Sequence, residues 1–142
     1  MHAANFATDA GTYYAKANDE ILVVLMAEHV DAIANIDDIL SVPGIDAVFI
    51  GPTDLHSSIG LAPAFDSEAP TFNAAIKKVF ASAVAHGVAP GIHVADEAQA
   101  QRRLDEGWKM IAVASEVGFM LEKADEITKF LGLGGKGAVA KY

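Results

Sequence analysis

The sequence predicts an α/β fold built from parallel βα units. Two observations carry that prediction. Four short apolar runs recur along 142 residues, and an amphipathic segment with helical spacing follows each of them. The apolar runs also lack the strict alternation of a half-exposed strand, which marks strands buried on both faces of a parallel sheet. Strands alternating with helices in this way imply right-handed crossovers.

Each element can be justified in order. "TYYAKANDE" reads as a short leading helix. Residues 20–27, "EILVVLMA", read as the first strand, buried on both faces. In 30–40, "VDAIANIDDIL", Ile33, Ile36 and Leu40 share one helical face. "SVPG" breaks the chain, and 45–50, "IDAVFI", is the second strand. A longer helix over 68–86 carries Phe72, Ile76, Val79, Phe80 and Ala83 on one stripe, with Gly87 as its C-terminal stop. The third strand is 88–94, "VAPGIHV". Asp96 is placed to cap "EAQAQRRLDE", which Gly107 closes. The fourth strand is 109–114, "KMIAVA", and Ser115 is placed to cap a last helix over 117–131. The tail, 132–142, is Gly-rich and reads as flexible, which leaves 1–131 as the folded unit. Periodicity leaves two architectures open: an open doubly wound sheet, or half of a (β/α)₈ barrel, which typically needs ~250 residues.

Composition excludes several function classes. Ten Lys+Arg against 19 Asp+Glu give a net charge of −9, which repels phosphate backbones and anionic lipid, so neither nucleic acid nor membrane is an expected partner. With no Cys there is no disulfide, thiolate nucleophile or zinc–thiolate site. The longest apolar run, 21–27, is far shorter than the ~20 residues of a spanning helix. "MHAANFATDAG" lacks the basic and apolar regions of a signal peptide, so a cytoplasmic location is the expectation. The Ser residues at 57, 58 and 67 sit in no G-x-S-x-G elbow, and "GLGGKG" lacks the spacing of a phosphate loop.

In a parallel architecture, sites gather at the carboxyl ends of the strands. The first strand ends in Glu28-His29 and the second in Gly51-Pro52-Thr53-Asp54. The third carries His93 near its end, and the fourth ends in Ser115-Glu116. Glu28 and Asp54 follow consecutive strands, and two carboxylates with few imidazoles nearby suit a hard, octahedral divalent ion. The same placement also suits ordinary helix N-cap acids, worth about 1 kcal/mol each. Gly51 has no Cβ and permits close approach to the backbone. Pro52 has no amide hydrogen, so the next free amides are those of Thr53 and Asp54. If "DLHSSIG" opens a helical turn, those two amides can hold an anion. His29 neighbours Glu28, so alternation turns it to the opposite face. His93 is placed either to line the mouth of the sheet or to pack structurally. His56 and His86 read as loop and helix-end surface residues.

"GIDAVFIGPTDLHSSIGL" (44–61), with "VVLMAEHVDAIANIDDILSVPGIDAVFIGP" (23–52) and "GIHVADEAQAQRRLDEGWKMIAVASEVGFM" (91–120), resembles the HpcH/HpaI aldolase family of metal-dependent class II pyruvate aldolases. The resemblance covers roughly 20–131. It implies the second half, the last four strands, of a (β/α)₈ barrel. It also implies a carbon–carbon lyase that cleaves 4-hydroxy-2-oxo acids to pyruvate and an aldehyde. Glu28 and Asp54 match the ligands of the divalent metal, Mg²⁺ or Mn²⁺ with Co²⁺ also open. Thr53 and Asp54, beside Gly51, match the positions whose amides hold the substrate carboxylate, and His93 falls at a pocket-lining position. The family's catalytic His base and an Arg that steadies the keto oxygen belong to the first half of the barrel, and no residue here matches them. Where some members carry Gln two residues before the metal Glu, this chain has Met26. Four buried strands alone leave two open edges, so a homo-oligomer or association with an N-terminal half barrel is expected. The alternative function is a non-catalytic half barrel that binds metal and 2-oxo acid or serves as an assembly partner.

Overall fold

A computed structural model describes residues 8–133. The Gly-rich segment expected at 132–142 lies outside the described residues apart from Gly132 and Leu133. The elements follow the order α1 (Ala10–Glu20), β1 (Val24–Met26), α2 (Val30–Ala34), α3 (Ile36–Leu40), β2 (Ala47–Ile50), α4 (Pro52–Ser58), α5 (Pro70–His86), β3 (Ala89–Val94), α6 (Glu97–Glu106), β4 (Met110–Val113) and α7 (Glu116–Phe130). All four strands are parallel and lie side by side in chain order, β1-β2-β3-β4. An open doubly wound sheet reverses its strand order at a switch point. This sheet does not reverse, and its topology is that of successive strands of a (β/α)₈ barrel.

Local sequence accounts for most boundaries. Pro stands in the first turn of both α4 and α5, where its missing amide costs nothing. Gly87 and Gly107 end α5 and α6 in the left-handed region, at φ 71° and 98°. Asp96 accepts from the Gln99 amide at 2.8 Å, and Ser115 accepts from the Gly118 amide at 3.1 Å, so both expected caps are present. The single helix expected over 30–40 is instead two short helices that meet at Asn35. The Asn35 side chain donates back to the Asp31 carbonyl, a local bond that competes with continuation of the helix.

The core lies between one sheet face and the helices. Val48, Ile50, Ile92 and Val94 from the strands meet Ile36 and Leu40 of α3 and Phe72, Ile76, Val79 and Ala83 of α5, all buried. The expected α5 stripe therefore faces the sheet, with Phe80 partly buried at its margin.

The opposite sheet face forms layers. The strand register aligns Met26, Phe49, Gly91 and Met110 in one row across all four strands. Phe49 fills the space over Gly91: a Cβ there would meet Phe49 Cδ2 at 2.8 Å and Met110 Cβ at 3.1 Å. Gly91→Ala is therefore expected to destabilise the fold by about 1–3 kcal/mol in chemical denaturation, as overpacking does.

The first strand departs from its expected burial. β1 is only three residues long, and Val24 and Met26 are exposed rather than buried on both faces. β4 is likewise mostly exposed. Both are edge strands here, each with a neighbour on one side only. α1 and α7 contain no buried residue. Among the described residues, no helix is long and apolar enough to cross a membrane.

Candidate functional site at the carboxyl ends of the strands

Two residues beyond the apolar row, the same period of two gives a second row: Glu28, Gly51, His93 and Ala112. The register pairs His93 with Ala112 directly, and the Ile50–Ile92 pair sets Gly51 level with His93. The ladder continues past β1 through the Ala27 amide, which donates to the Phe49 carbonyl at 2.8 Å, and so brings Glu28 alongside Gly51. A carboxylate oxygen of Glu28 occupies the space that a Cβ on Gly51 would need, with Met26 Cε 3.5 Å from the same point. Glycine at 51 thus makes room for the Glu28 carboxylate at the end of the neighbouring strand.

α4 begins immediately after Gly51, so the helical turn allowed for by the sequence is formed. Gly51 is its N-cap and offers no side-chain acceptor, while its carbonyl accepts from the Leu55 amide at 2.9 Å. The amides of Thr53 and Asp54 precede the first intrahelical bond and have no acceptor within the helix. Asp54 lies in that first turn with its side chain exposed.

The N-cap alternative for the two acids does not hold. α2 is capped by His29, whose Nδ1 accepts from the Asp31 amide at 3.2 Å, and α4 by Gly51. Among the described residues, neither the Glu28 nor the Asp54 side chain makes a hydrogen bond or an ion pair. Asp46 accepts from the Val23 amide, Asp37 from Ser82 and Asp66 from Arg102, while the Glu68, Glu97, Glu116 and Glu122 side chains are as free as those of Glu28 and Asp54, so it is their place at adjacent strand ends that sets Glu28 and Asp54 apart. Two unengaged carboxylates at adjacent strand ends are the hard oxygen donors that a divalent ion requires, so the residues fit such an ion. Among the described residues, no group of three or more His, Cys, Asp or Glu side chains forms.

His93 is half-buried. Its Nε2 donates to the Ala114 carbonyl at 2.7 Å, and its ring meets Phe65 edge-on at 4.9 Å. Ala114 is the only described non-glycine residue with positive φ, at 49°, and it sits at the end of β4. His93 therefore ties the end of β3 to a strained turn after β4.

His56 differs from its expected surface position. It is 1% exposed. Its Nδ1 donates to the Pro52 carbonyl at 2.7 Å, its Nε2 meets Ser67 Oγ at 2.9 Å, and its ring stacks on Phe72 at 3.8 Å. The apolar spacing Pro52–Leu55–His56 places it on the inward face of α4, a signal visible once α4 is recognised as a helix. His86 ends α5 as expected, 3.7 Å from Asp37.

The comparisons with known proteins agree with this architecture. Residues 3–122 match the family model HpcH/HpaI aldolase/citrate lyase. A hydroxypyruvate/pyruvate aldolase of Rhizorhabdus wittichii is 38% identical over 115 residues, covering 81% of this chain and 46% of that protein. A 5-keto-4-deoxy-D-glucarate aldolase of Escherichia coli is 33% identical over 117 residues, covering 82% and 45%. An HpcH/HpaI aldolase/citrate lyase family protein from Burkholderia cenocepacia superposes with a TM-score of 0.82 at 28% identity, over 93% of this chain and 50% of that one. An HpcH/HpaI aldolase from Desulfitobacterium hafniense gives 0.78 at 27% identity, over 94% and 52%. The chain thus spans about half the length of the relatives it matches. Sequential parallel strands, carboxylates at adjacent strand ends and a family match over residues 3–122 converge: the chain belongs to the HpcH/HpaI aldolase/citrate lyase family.

Proposed function

We propose that this chain supplies the metal and 2-oxo-acid half of a class II pyruvate aldolase site, acting in the cleavage of 4-hydroxy-2-oxo acids to pyruvate and an aldehyde. The observation that carries the reading is the pair of unengaged carboxylates, Glu28 and Asp54, at the ends of β1 and β2. Glu28 and Asp54 would hold Mg²⁺ or Mn²⁺, with Co²⁺ also compatible. When bound, such an ion supplies Lewis-acid stabilisation of negative charge on the keto oxygen.

The chain's own residues do the rest of the binding. The Thr53 and Asp54 amides, free at the start of α4, donate to the substrate carboxylate, and Gly51 leaves the backbone open for its approach. Met26 gives the site an apolar neighbour rather than a polar contact. His93, on the same sheet face, lines the pocket with its ring held by Ala114 and Phe65.

The proton-transfer base is not among these residues. Without it, enolate formation is slowed by about 10²–10⁴-fold, so full activity needs the complementary half of the barrel. Calorimetry tests the reading. Pyruvate is expected to bind the chain with Mn²⁺ present and to lose most of that affinity when the ion is chelated. Equal pyruvate affinity with and without Mn²⁺ would refute the proposal.

A further inference from the structure

Residues 59–69 join α4 to α5 and contain no helix or strand. Three consecutive residues of this segment nevertheless grip three different elements. Phe65 packs edge-on against His93 of β3 at 4.9 Å. Asp66 accepts from Arg102 of α6 and lies 3.7 Å from Arg103. Ser67 bonds the buried His56 of α4 at 2.9 Å. Asn73 of α5 adds a second anchor by donating to the Ser67 and Ala69 carbonyls at 3.0 and 3.2 Å.

We propose that Phe65-Asp66-Ser67 is a clasp across the carboxyl ends of β2 and β3, and that Ser67 and His56 are positioning residues for the α4 turn that presents Thr53 and Asp54. The proposal rests on the site reading above.

The chemistry of the His56 ring sets the direction of the link. The Pro52 carbonyl can only accept, so Nδ1 carries the hydrogen that it receives. Ser67 Oγ accepts from the Ala69 amide at 3.4 Å, which leaves its own proton for His56 Nε2. Every polar atom of the ring is therefore used, one on each side: the first residue of α4 and the clasp. With 1% of His56 exposed, water offers no substitute partner.

α4 needs this support. It has seven residues, its cap supplies no side-chain hydrogen bond, and its first residue is a proline without an amide. A helix that short is marginal on its own, so anchors from outside it decide where its first turn sits. The ring that bonds Pro52 is two residues from Asp54, and the turn moves with it.

Amide exchange on the full chain tests the clasp without any metal. Removing the hydroxyl in Ser67→Ala is expected to speed exchange about 3- to 10-fold at Leu55 and Leu61, whose amides bond the carbonyls of Gly51 and His56. Sheet amides such as Ile92 should hold their protection, and Ser67→Thr, which keeps the hydroxyl, should restore the turn. Unchanged exchange at Leu55 and Leu61, or a uniform loss across the sheet, would overturn the clasp. Mn²⁺ titration separates the two readings. If Asp54→Ala weakens Mn²⁺ binding and Ser67→Ala weakens it about 3- to 10-fold, the positioning role stands. If Asp54→Ala weakens it and Ser67→Ala does not, the positioning role fails. If Asp54→Ala has no effect, the ligand reading fails while the exchange result still decides the clasp.

Discussion

Alanine at Glu28 or at Asp54 is expected to lower Mn²⁺ affinity by at least about 100-fold in calorimetric titration. Loss of a residue that merely supports a metal ligand typically costs 10–100-fold, and loss of a ligand costs more. Both carboxylates sit on ends of adjacent parallel strands and bond nothing else among the described residues, so their removal leaves the fold's own hydrogen bonds in place. Thermal unfolding of the metal-free variants should therefore match the parent chain. Gly51→Ala is expected to lower the affinity by a smaller factor. Its Cβ displaces the Glu28 carboxylate, and at φ −90° the backbone accepts alanine without strain. Parent-like Mn²⁺ affinity in both the Glu28 and the Asp54 variant would remove the ligand assignment.

The second large effect concerns assembly. Alone, the 14.9 kDa chain is expected to sediment as a dimer or larger species at micromolar concentration. β1 and β4 leave both sheet edges open, and their side chains are largely exposed: Met26 53%, Met110 43%, Val113 38%. α7 adds exposed Met120 and Phe130, at 66% and 89%. Apolar edges of parallel strands pair readily with further strands. Val24→Lys, which puts a charge on the β1 edge, should shift the distribution toward monomer. A sharp monomeric boundary with two-state unfolding in the parent chain would contradict the expectation. Mixing with a separately expressed first half of a family barrel should convert the self-associated species into a mixed one.

Much of the fold was legible because periodicity reports directly on burial. The α5 stripe, the Gly87 and Gly107 stops and the Asp96 and Ser115 caps are local signals, and each stands where the sequence places it. The burial of the first strand was misread for a physical reason. An apolar run records the environment for which a strand is suited, and "EILVVLMA" suits a strand with neighbours on both sides. In this chain β1 has one neighbour, so the same residues are exposed. The surface reading of His56 failed because its burial depends on Phe72 and Ser67, 16 and 11 residues away in the chain.

The candidate site divides in the same way. Glu28, Gly51, Thr53, Asp54 and His93 stand out because they punctuate the ends of apolar runs, and chain order alone places those ends on one side of a parallel sheet. Their resemblance to a known motif added the metal and the 2-oxo acid. What the chain could not reveal was whether Glu28 and Asp54 are caps or free donors. That depended on His29 and Gly51 taking the cap positions, which is a matter of backbone geometry.

The sequence by itself determined the four strands and the longer helices in their order, the strand ends that carry the candidate residues and the family resemblance. Only the tertiary structure decided between open sheet and barrel segment, because spacing shows which residues share a face of one strand and not which strand lies beside it. The register, extended by the Ala27–Phe49 bond, aligned Glu28, Gly51 and His93 in one row above an apolar layer. Through the clasp at 65–67, contacts between residues distant in sequence connect that row to α4 and α6.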